Sequence, residues 1–165
     1  MSMMRRDVLQ DWDVNRGRPH IQIVLVLLRL SQAIRSKSGF PARVSSLFIC
    51  ALYRVAALGF CGIDIPVSTR IGPKLSIHHG IGLVVHNKTV IGSSVTLRQN
   101  TTIGSKDGSL PPCIGDNVSI GPNSCLIGPL QVGDRATIGA GSVVVKDVEE
   151  ATVVAGNPAR PLTKN

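Results

Sequence analysis

Aliphatic residues recur along the chain with two different spacings, and the change falls near Cys61. Before it, residues 19–36 and 41–60 form two apolar runs that each begin with proline, which is typical of the first turn of a helix. The Ser-Lys-Ser-Gly-Phe segment between them, residues 36–40, predicts a turn. We therefore expect a helical N-terminal region over residues 1–61.

Each apolar run carries an arginine near its middle, Arg29 in the first and Arg54 in the second. A helix that spans a bilayer needs about 20 nearly uncharged residues, so a central arginine disfavours a span. We expect instead a packed helical pair, with peripheral contact to a membrane surface through residues 19–60 as the alternative.

After Cys61 an aliphatic residue begins each of thirteen successive units, and eleven of these units are six residues long. Glycine follows the aliphatic residue in seven of them, and a small or aliphatic residue recurs four positions after it. The aliphatic residues are Ile65, Ile71, Ile77, Val85, Ile91, Leu97, Ile103, Ile114, Ile120, Leu126, Val132, Ile138 and Val144.

A period of six does not fit the 3.6-residue turn of a helix, and each glycine would cost a helix about 1 kcal/mol. Hairpins are also disfavoured, because their turn signals recur every 8–12 residues or so. The pattern predicts a mainly β fold over residues 62–165, a parallel β-helix with three short strands per coil. The aliphatic residues would point inward and stack about 4.8 Å apart along its axis.

Three units make one coil, so residues three units apart should stack in rows. One predicted row is Ile77, Leu97, Ile120 and Ile138, and the residues two positions later form a column at an outer corner: His79, Gln99, Pro122 and Ala140. In the next row Asp64 lies one coil below Val84, beside the corner that holds His79. The register thus predicts Asp64 and His79 as neighbours.

Composition and charge divide at the same boundary. Only 3% of the 165 residues are aromatic although 43% are hydrophobic, so the core must be built from small aliphatic side chains, and base-stacking platforms are scarce. The net charge is +8; residues 1–63 hold nine Lys/Arg and three Asp, hence +6, and residues 64–165 hold nine Lys/Arg and seven acids, hence +2. Without a recognised nucleic-acid motif, we expect no nucleic-acid partner.

The four cysteines, Cys50, Cys61, Cys113 and Cys125, have no Cys-x-x-Cys spacing, and we find no signal peptide. We therefore expect reduced, buried thiols and a cytoplasmic protein, with the inner face of the membrane as the alternative place.

The repeat resembles the left-handed β-helix of hexapeptide-repeat acyltransferases, and residues 62–162 resemble serine acetyltransferases and their colanic-acid and capsule acetyltransferase relatives. The resemblance rests on Ile63-Asp64-Ile65, the two-residue expansion in Ile77-HHGIGLV, the loop inserted after Gly104, and Ile138-GAGSVV followed by Ala155-GNPAR.

The resemblance implies an O-acetyltransferase that uses acetyl-CoA. His79 would be its general base and Asp64 the carboxylate that orients the imidazole, because hydroxyl attack on a thioester requires a group that accepts the hydroxyl proton near neutral pH. We expect the acceptor to contact His78, Arg98 and Gln99. Three histidines at His78, His79 and His86 have no metal-ligand spacing, so we expect no metal.

In this family acetyl-CoA lies in a groove between adjacent β-helices of a trimer. We therefore expect a homotrimer, with a dimer of trimers as the alternative. The residues of this chain that would line the groove or meet the phosphates are Gly104, Gly121, Pro122, Gly139, Ala140, Lys146 and Arg160.

Two departures from serine acetyltransferases bear on the acceptor. Pro111 stands where those enzymes usually carry a histidine, and the helical region of about 60 residues is short, as in the colanic-acid-type relatives. We therefore expect a hydroxyl of a saccharide or polysaccharide precursor, with L-serine as the first alternative. A non-catalytic hexapeptide scaffold is the second alternative.

Overall fold

The structure is a computed structural model that describes residues 7–35 and 40–162. A short 3₁₀ turn, Asp13–Asn15, precedes helix α1 (Pro19–Arg35) and helix α2 (Phe40–Arg54), and a π-helical turn, Val55–Phe60, continues α2. Both predicted helices are confirmed. Most of the turn predicted between them, 36–39, lies outside the described residues, and Phe40 already belongs to α2.

Within the described residues, fifteen short strands follow the helices. They are β1 (Ile63–Asp64), β2 (Arg70–Ile71), β3 (Ser76–His78), β4 (Leu83–Val85), β5 (Val90–Ile91), β6 (Thr96–Arg98), β7 (Thr102–Gly104), β8 (Cys113–Ile114), β9 (Ser119–Ile120), β10 (Cys125–Ile127), β11 (Gln131–Val132), β12 (Thr137–Ile138), β13 (Val143–Val144), β14 (Val153–Gly156) and β15 (Ala159–Pro161).

The strands form the three faces of a left-handed parallel β-helix, as predicted. Sheet 1 runs β1-β4-β7-β10-β13, sheet 2 runs β2-β5-β8-β11, and sheet 3 runs β3-β6-β9-β12-β14 and ends with β15. Only the last pair, β14 and β15, is antiparallel among these described pairings. We call the corner where the chain passes from sheet 3 to sheet 1 the His79 corner, and the corner from sheet 1 to sheet 2 the loop corner.

The predicted rows are confirmed by the strand register. Ile77 is aligned with Leu97 and Ile120 with Ile138, and Asp64 is aligned with Val84 one coil away. The row residues are fully buried, since Ile77, Leu97 and Ile120 each expose 0% of their surface. Stacked aliphatic layers of this width leave no room for rings, which explains the scarcity of aromatic residues.

The N-terminal segment covers the first coil, where a β-helix would otherwise present unpaired backbone groups. The Asn15 side chain donates from Nδ2 to the Leu75 carbonyl at 2.8 Å and accepts from the Ile77 N–H at 3.0 Å. The Leu75 N–H donates to Asp11 Oδ1 at 2.9 Å. Two buried side chains thus replace a missing neighbouring strand.

We call the N-terminal residues that cover the first coil the cap. Arg29, whose charge disfavours a membrane span, is buried and belongs to this cap. Its Nε donates to Asp11 Oδ2 at 2.7 Å, and its terminal nitrogens donate to the carbonyls of Ile71 and Gly72 at 2.8 and 2.7 Å. Apolar residues of α1, among them Ile21 and Leu28, pack into one continuous core with the coils. Helix α1 is therefore packed against the β-helix.

Helix α2 is attached through one side. Tyr53 and Ala57 are buried in the core, and the Tyr53 hydroxyl donates to the Ile65 carbonyl at 2.6 Å. By length and composition alone, the stretch Arg43–Phe60 could cross a bilayer: its mean hydropathy is 1.4, and 11% of it is buried. Core helices of soluble proteins, which are mostly buried, can have the same length and hydropathy.

The expectation of buried thiols is wrong. Cys50, Cys61, Cys113 and Cys125 are all free but only partly buried. Cys113 and Cys125 each come one position before the inward-pointing residue of a strand, so alternation along the strand turns their side chains outward.

Candidate active site

His79 lies at the corner that the repeat predicts, but in a turn of different shape. At the regular corners of this column the residue three positions after the aliphatic one has positive φ, as at Asn100 (54°) and Asn123 (59°). In the expanded turn both His79 and Gly80 have φ of 66°. Because left-handed residues also occur at the regular corners, the feature that distinguishes the His79 turn in this column is two such residues in succession.

Backbone hydrogen bonds show that the expansion is two residues long. At regular corners the Asn123 N–H donates to the Gln99 carbonyl and the Gly141 N–H donates to the Pro122 carbonyl. In the expanded turn the Asn100 N–H reaches the Ile81 carbonyl instead of that of His79. Two extra residues bulge outward there, and the side chain of His79 is exposed to solvent.

The expanded turn is pressed against strand β1. The Gly82 N–H donates to the Gly62 carbonyl at 2.9 Å. A Cβ on Gly80 would lie 2.7 Å from Cδ1 of Ile63, so only glycine fits there without a shift. The turn that carries His79 therefore sits directly over the residues that precede Asp64.

Asp64 is half-buried and lies below α2, where it lines a cavity of about 190 Å³ together with Tyr53 and Arg54. Burial, and then the nearby Asp64 carboxylate, raise the pKa of Tyr53, so its phenol stays protonated at neutral pH. Within residues 7–35 and 40–162, the side chains of Asp64 and His79 are not hydrogen-bonded to each other. Their pairing stays a prediction, because catalytic contacts often tighten only when substrate binds.

A cationic group surrounds His78. Arg98 is its direct neighbour on the adjoining strand, and Arg18 approaches from the N-terminal cap by donating to the Ile77 carbonyl at 2.6 Å. Burial first, then Arg18, Arg98 and His79, lower the pKa of His78. Among the described residues no carboxylate forms an ion pair with any of these side chains, so the group is positively charged and lacks an anionic partner.

Gln99 belongs to the corner column and directly follows Arg98 of this cationic group. Its side-chain Oε1 is buried without a hydrogen-bond partner in the described part of the chain. Arg98 is already engaged, since it donates to Ser119 Oγ and to the Ile120 carbonyl. The predicted acceptor residues His78, Arg98 and Gln99 thus come together beside His79, and Gln99 has an acceptor atom to spare.

The residues predicted to bind acetyl-CoA divide between two corners. Gly121, Pro122, Gly139 and Ala140 continue the column of His79, which spans three coil spacings and is thus roughly 14 Å long up to Ala140. Arg160 on β15 pairs with Ala155 at the end of this corner. Gly104 and Lys146 lie at the loop corner, with the inserted loop 104–113, and are separated from His79 by the width of sheet 1.

The glycines predicted to bind acetyl-CoA differ in whether the stacking of the coils already requires them. A Cβ on Gly121 would lie 2.6 Å from the Ala140 backbone nitrogen, and one on Gly139 would lie 2.8 Å from Ala155 Cβ. Close stacking of the coils therefore requires glycine at both positions without any ligand. At Gly104 the nearest atom would be the flexible Cδ1 of Ile127, 3.2 Å away, so stacking does not demand glycine there. That corner has a small-residue surface on which an extended chain could lie.

Sequence reasoning missed two neighbours of the site, Arg18 and Tyr53. Both lie in the helical region, and no repeat pattern predicts how that region packs on the coils. Within the described residues we find no group of three or more His, Cys, Asp or Glu side chains that could hold a metal ion.

Comparison with known proteins agrees with this geometry. Residues 114–146 match the bacterial transferase hexapeptide family of six repeats. The chain is 32% identical to a serine acetyltransferase of Bacillus licheniformis over 170 residues, covering 96% of this chain and 75% of that protein. It is 36% identical over 114 residues to the putative colanic acid biosynthesis acetyltransferase WcaB of Escherichia coli, covering 68% and 70%. A solved serine acetyltransferase in complex with CoA superimposes with a TM-score of 0.78 at 25% identity, covering 98% and 70%.

Proposed function

Because this chain belongs to the hexapeptide-repeat transferases, in their serine acetyltransferase-like branch, we propose that it moves the acetyl group of acetyl-CoA to the hydroxyl of L-serine. That it is an acetyltransferase using acetyl-CoA follows from its relatives. The sequence pattern favoured a saccharide acceptor, whereas relatives that match nearly the whole chain are named serine acetyltransferases.

The observation that carries the assignment of the base is the expanded turn. It exposes the His79 side chain to solvent and anchors the turn over the strand of Asp64. In the proposed reaction His79 takes the proton of the acceptor hydroxyl while that oxygen attacks the thioester carbon. The new C–O bond forms, the C–S bond breaks, and the proton passes from His79 to the sulfur of CoA. Asp64 positions the imidazole and stabilises its protonated form.

The cationic group beside His79 supports an acceptor that carries an anion. Arg18 and Arg98 flank His78 without a carboxylate partner among the described residues, and the carboxylate of L-serine supplies the missing charge. Gln99 Oε1, which is buried and unpaired, could accept a hydrogen bond from the amino group of the same substrate.

The distribution of residues over two corners supports a trimer. One protomer contributes His79 and its column, and an adjacent protomer would contribute Gly104, Lys146 and loop 104–113. Acetyl-CoA would then lie between the two, and Lys146 and Arg160, both exposed, are free to meet its phosphates. A dimer of such trimers remains compatible with this site.

A saccharide hydroxyl is the second candidate acceptor, and two observations favour it. Pro111, at the position where serine acetyltransferases usually carry a histidine, is buried and offers no donor or proton acceptor from its side chain. The WcaB relative is itself named for colanic acid biosynthesis.

Release of CoA from acetyl-CoA decides between the two acceptors. We expect saturable release with L-serine and none above hydrolysis with short oligosaccharides or nucleotide sugars. Saturable release with a saccharide but not with L-serine would move the assignment to the second candidate. Absence of both release and acetyl-CoA binding would favour the non-catalytic scaffold.

A further inference from the structure

The outward side of α2 and its π-helical continuation is an uninterrupted apolar stripe. From Val44 to Leu58 each of its residues lies three or four positions from another, so these residues share one helix face, and Phe60 follows at the end of the π-helical turn. The exposed fractions are high along its length: Val44 53%, Leu47 73%, Phe48 72%, Leu52 46%, Val55 56%, Leu58 48% and Phe60 84%. Exposed apolar patches of this extent are uncommon on soluble proteins and mark sites that bind a protein or a membrane.

The opposite side of the same helix is fixed to the β-helix. Tyr53 exposes 2% and Ala57 1% of their surface, and the Tyr53 hydroxyl is bonded to the Ile65 carbonyl. Because this side belongs to the protein core, the helix cannot be surrounded by lipid without losing those contacts. Only the outward side of the helix is therefore open to a binding partner, and a flat surface such as a membrane can contact that side.

The charges around the stripe indicate what kind of surface would bind it. Arg43 and Arg54 are both exposed and lie at its border. From residue 14 to residue 63 the sequence contains seven Lys/Arg and no Asp or Glu. A second copy docked through the same face would bring these cations together without counter-charges, whereas an anionic lipid surface complements both the arginines and the apolar side chains.

We propose that α2 and its continuation lie in the plane of an anionic membrane surface, with Leu47, Phe48 and Phe60 in the boundary between headgroups and acyl chains. The occupant is lipid of the cytoplasmic leaflet, which carries the negative charge that the arginines require. This placement is independent of the acceptor.

The placement also brings the membrane close to the reaction. The stripe ends at Phe60, two residues before Gly62, whose carbonyl holds the turn that carries His79. Ile81, in that turn, is itself 66% exposed. An acceptor or product held at the bilayer surface would therefore reach the His79 corner over a short path.

Co-sedimentation of the full-length protein with vesicles tests the proposal. We expect binding to phosphatidylcholine vesicles that contain phosphatidylglycerol, little binding to pure phosphatidylcholine, and weakening as salt is raised. The pair Leu47→Gln and Phe48→Gln should lower the partition coefficient about tenfold or more, and the pair Arg43→Gln and Arg54→Gln should remove the preference for anionic vesicles.

Matched controls lie elsewhere on the surface. Val145→Gln removes an apolar side chain that is 52% exposed, and Arg70→Gln removes an exposed cation, so neither should change binding. Circular dichroism should show that all variants keep the fold, because the substituted side chains are exposed. A wild-type protein that stays in the supernatant with anionic vesicles overturns the proposal. If, in addition, the Leu47/Phe48 pair lowers the oligomeric state in analytical ultracentrifugation, the stripe is an interface between copies of the chain.

Discussion

The backbone N–H of Gly82 donates to the carbonyl of Gly62 at 2.9 Å, and this bond ties the turn after His79 to the strand that begins at Ile63. The His79 turn carries two more residues than the regular corners of its column, and this bond holds it on the side of Asp64, while the Asn100 N–H holds the Ile81 carbonyl on the other side. The bond therefore fixes where the proposed base stands relative to Asp64.

Gly80 should be sensitive to substitution because it packs against Ile63. Gly80→Ala places a Cβ 2.7 Å from Ile63 Cδ1 at a φ of 66°, so it adds overpacking to backbone strain. We expect a loss of about 2–4 kcal/mol in the free energy of unfolding, measured with denaturant, together with reduced acetyl transfer. Gly141→Ala is the matched control, because its φ is 68° but nothing lies within 4 Å of the added Cβ. Equal losses for the two variants would mean that packing against Ile63 contributes nothing.

The buried pair Asp11 and Arg29 should dominate the stability of the cap. Asp11→Ala leaves the Arg29 guanidinium, 5% exposed, without its carboxylate and leaves the Leu75 N–H without an acceptor. We expect a loss of about 3–5 kcal/mol in the free energy of unfolding. Asp13→Ala is the control, because its ion pair with Arg16 is exposed. A loss for Asp11→Ala no larger than for Asp13→Ala would contradict the role of the cap.

His78 should titrate below the ordinary imidazole range. Burial and the two neighbouring guanidinium groups disfavour its protonated form, so its pKa is lowered from 6.5. Because the unfolded chain then binds the proton more readily, the contribution of His78 to stability is present above pH 6.5 and is lost as the pH falls from there through the lower pKa of the folded protein. NMR titration of the imidazole resonances measures this pKa, and Arg98→Gln should raise it. A pKa at or above 6.5 in the native protein would contradict the burial of His78 and its closeness to Arg18 and Arg98.

Arg98 should act on acceptor binding more than on chemistry. Arg98→Gln removes a cation from the proposed carboxylate site, so KM for L-serine should rise about tenfold while kcat changes little. Serinol, which lacks the carboxylate, should react equally poorly with both proteins. Arg70→Gln on sheet 2 serves as the control. If L-serine is acetylated but its KM is the same in Arg98→Gln, the carboxylate binds elsewhere while the proposed reaction stands.

The β-helix was predictable because its information is local and repeated. The aliphatic residue at the start of each six-residue unit identifies the inward-pointing position. The stacking of Ile77 on Leu97 and the alignment of Asp64 with Val84 therefore follow from counting units. The corner position of His79 follows in the same way.

The helical region was not predictable to the same depth. Nothing in the repeat specifies that Asn15 bonds to Leu75 and Ile77, or that Arg18 donates to the Ile77 carbonyl beside His78, because these contacts join segments about 60 residues apart. The periodicity of residues 41–60 is equally uninformative, since the helix is apolar on nearly all sides. Only the packing shows that Tyr53 faces the core and Phe48 faces outward.

Steady-state acetyl transfer by His79→Ala, compared with wild type and with His86→Ala, tests the central assignment most directly. His86 is a histidine at a regular corner, where its Nδ1 accepts the Lys88 N–H, so its loss controls for removal of an imidazole. We predict that kcat falls by about 10²–10⁴ in His79→Ala, while binding of acetyl-CoA, the fold and the activity of His86→Ala remain close to wild type. A His79→Ala protein whose kcat stays within a few-fold of wild type would contradict the assignment of His79 as the general base.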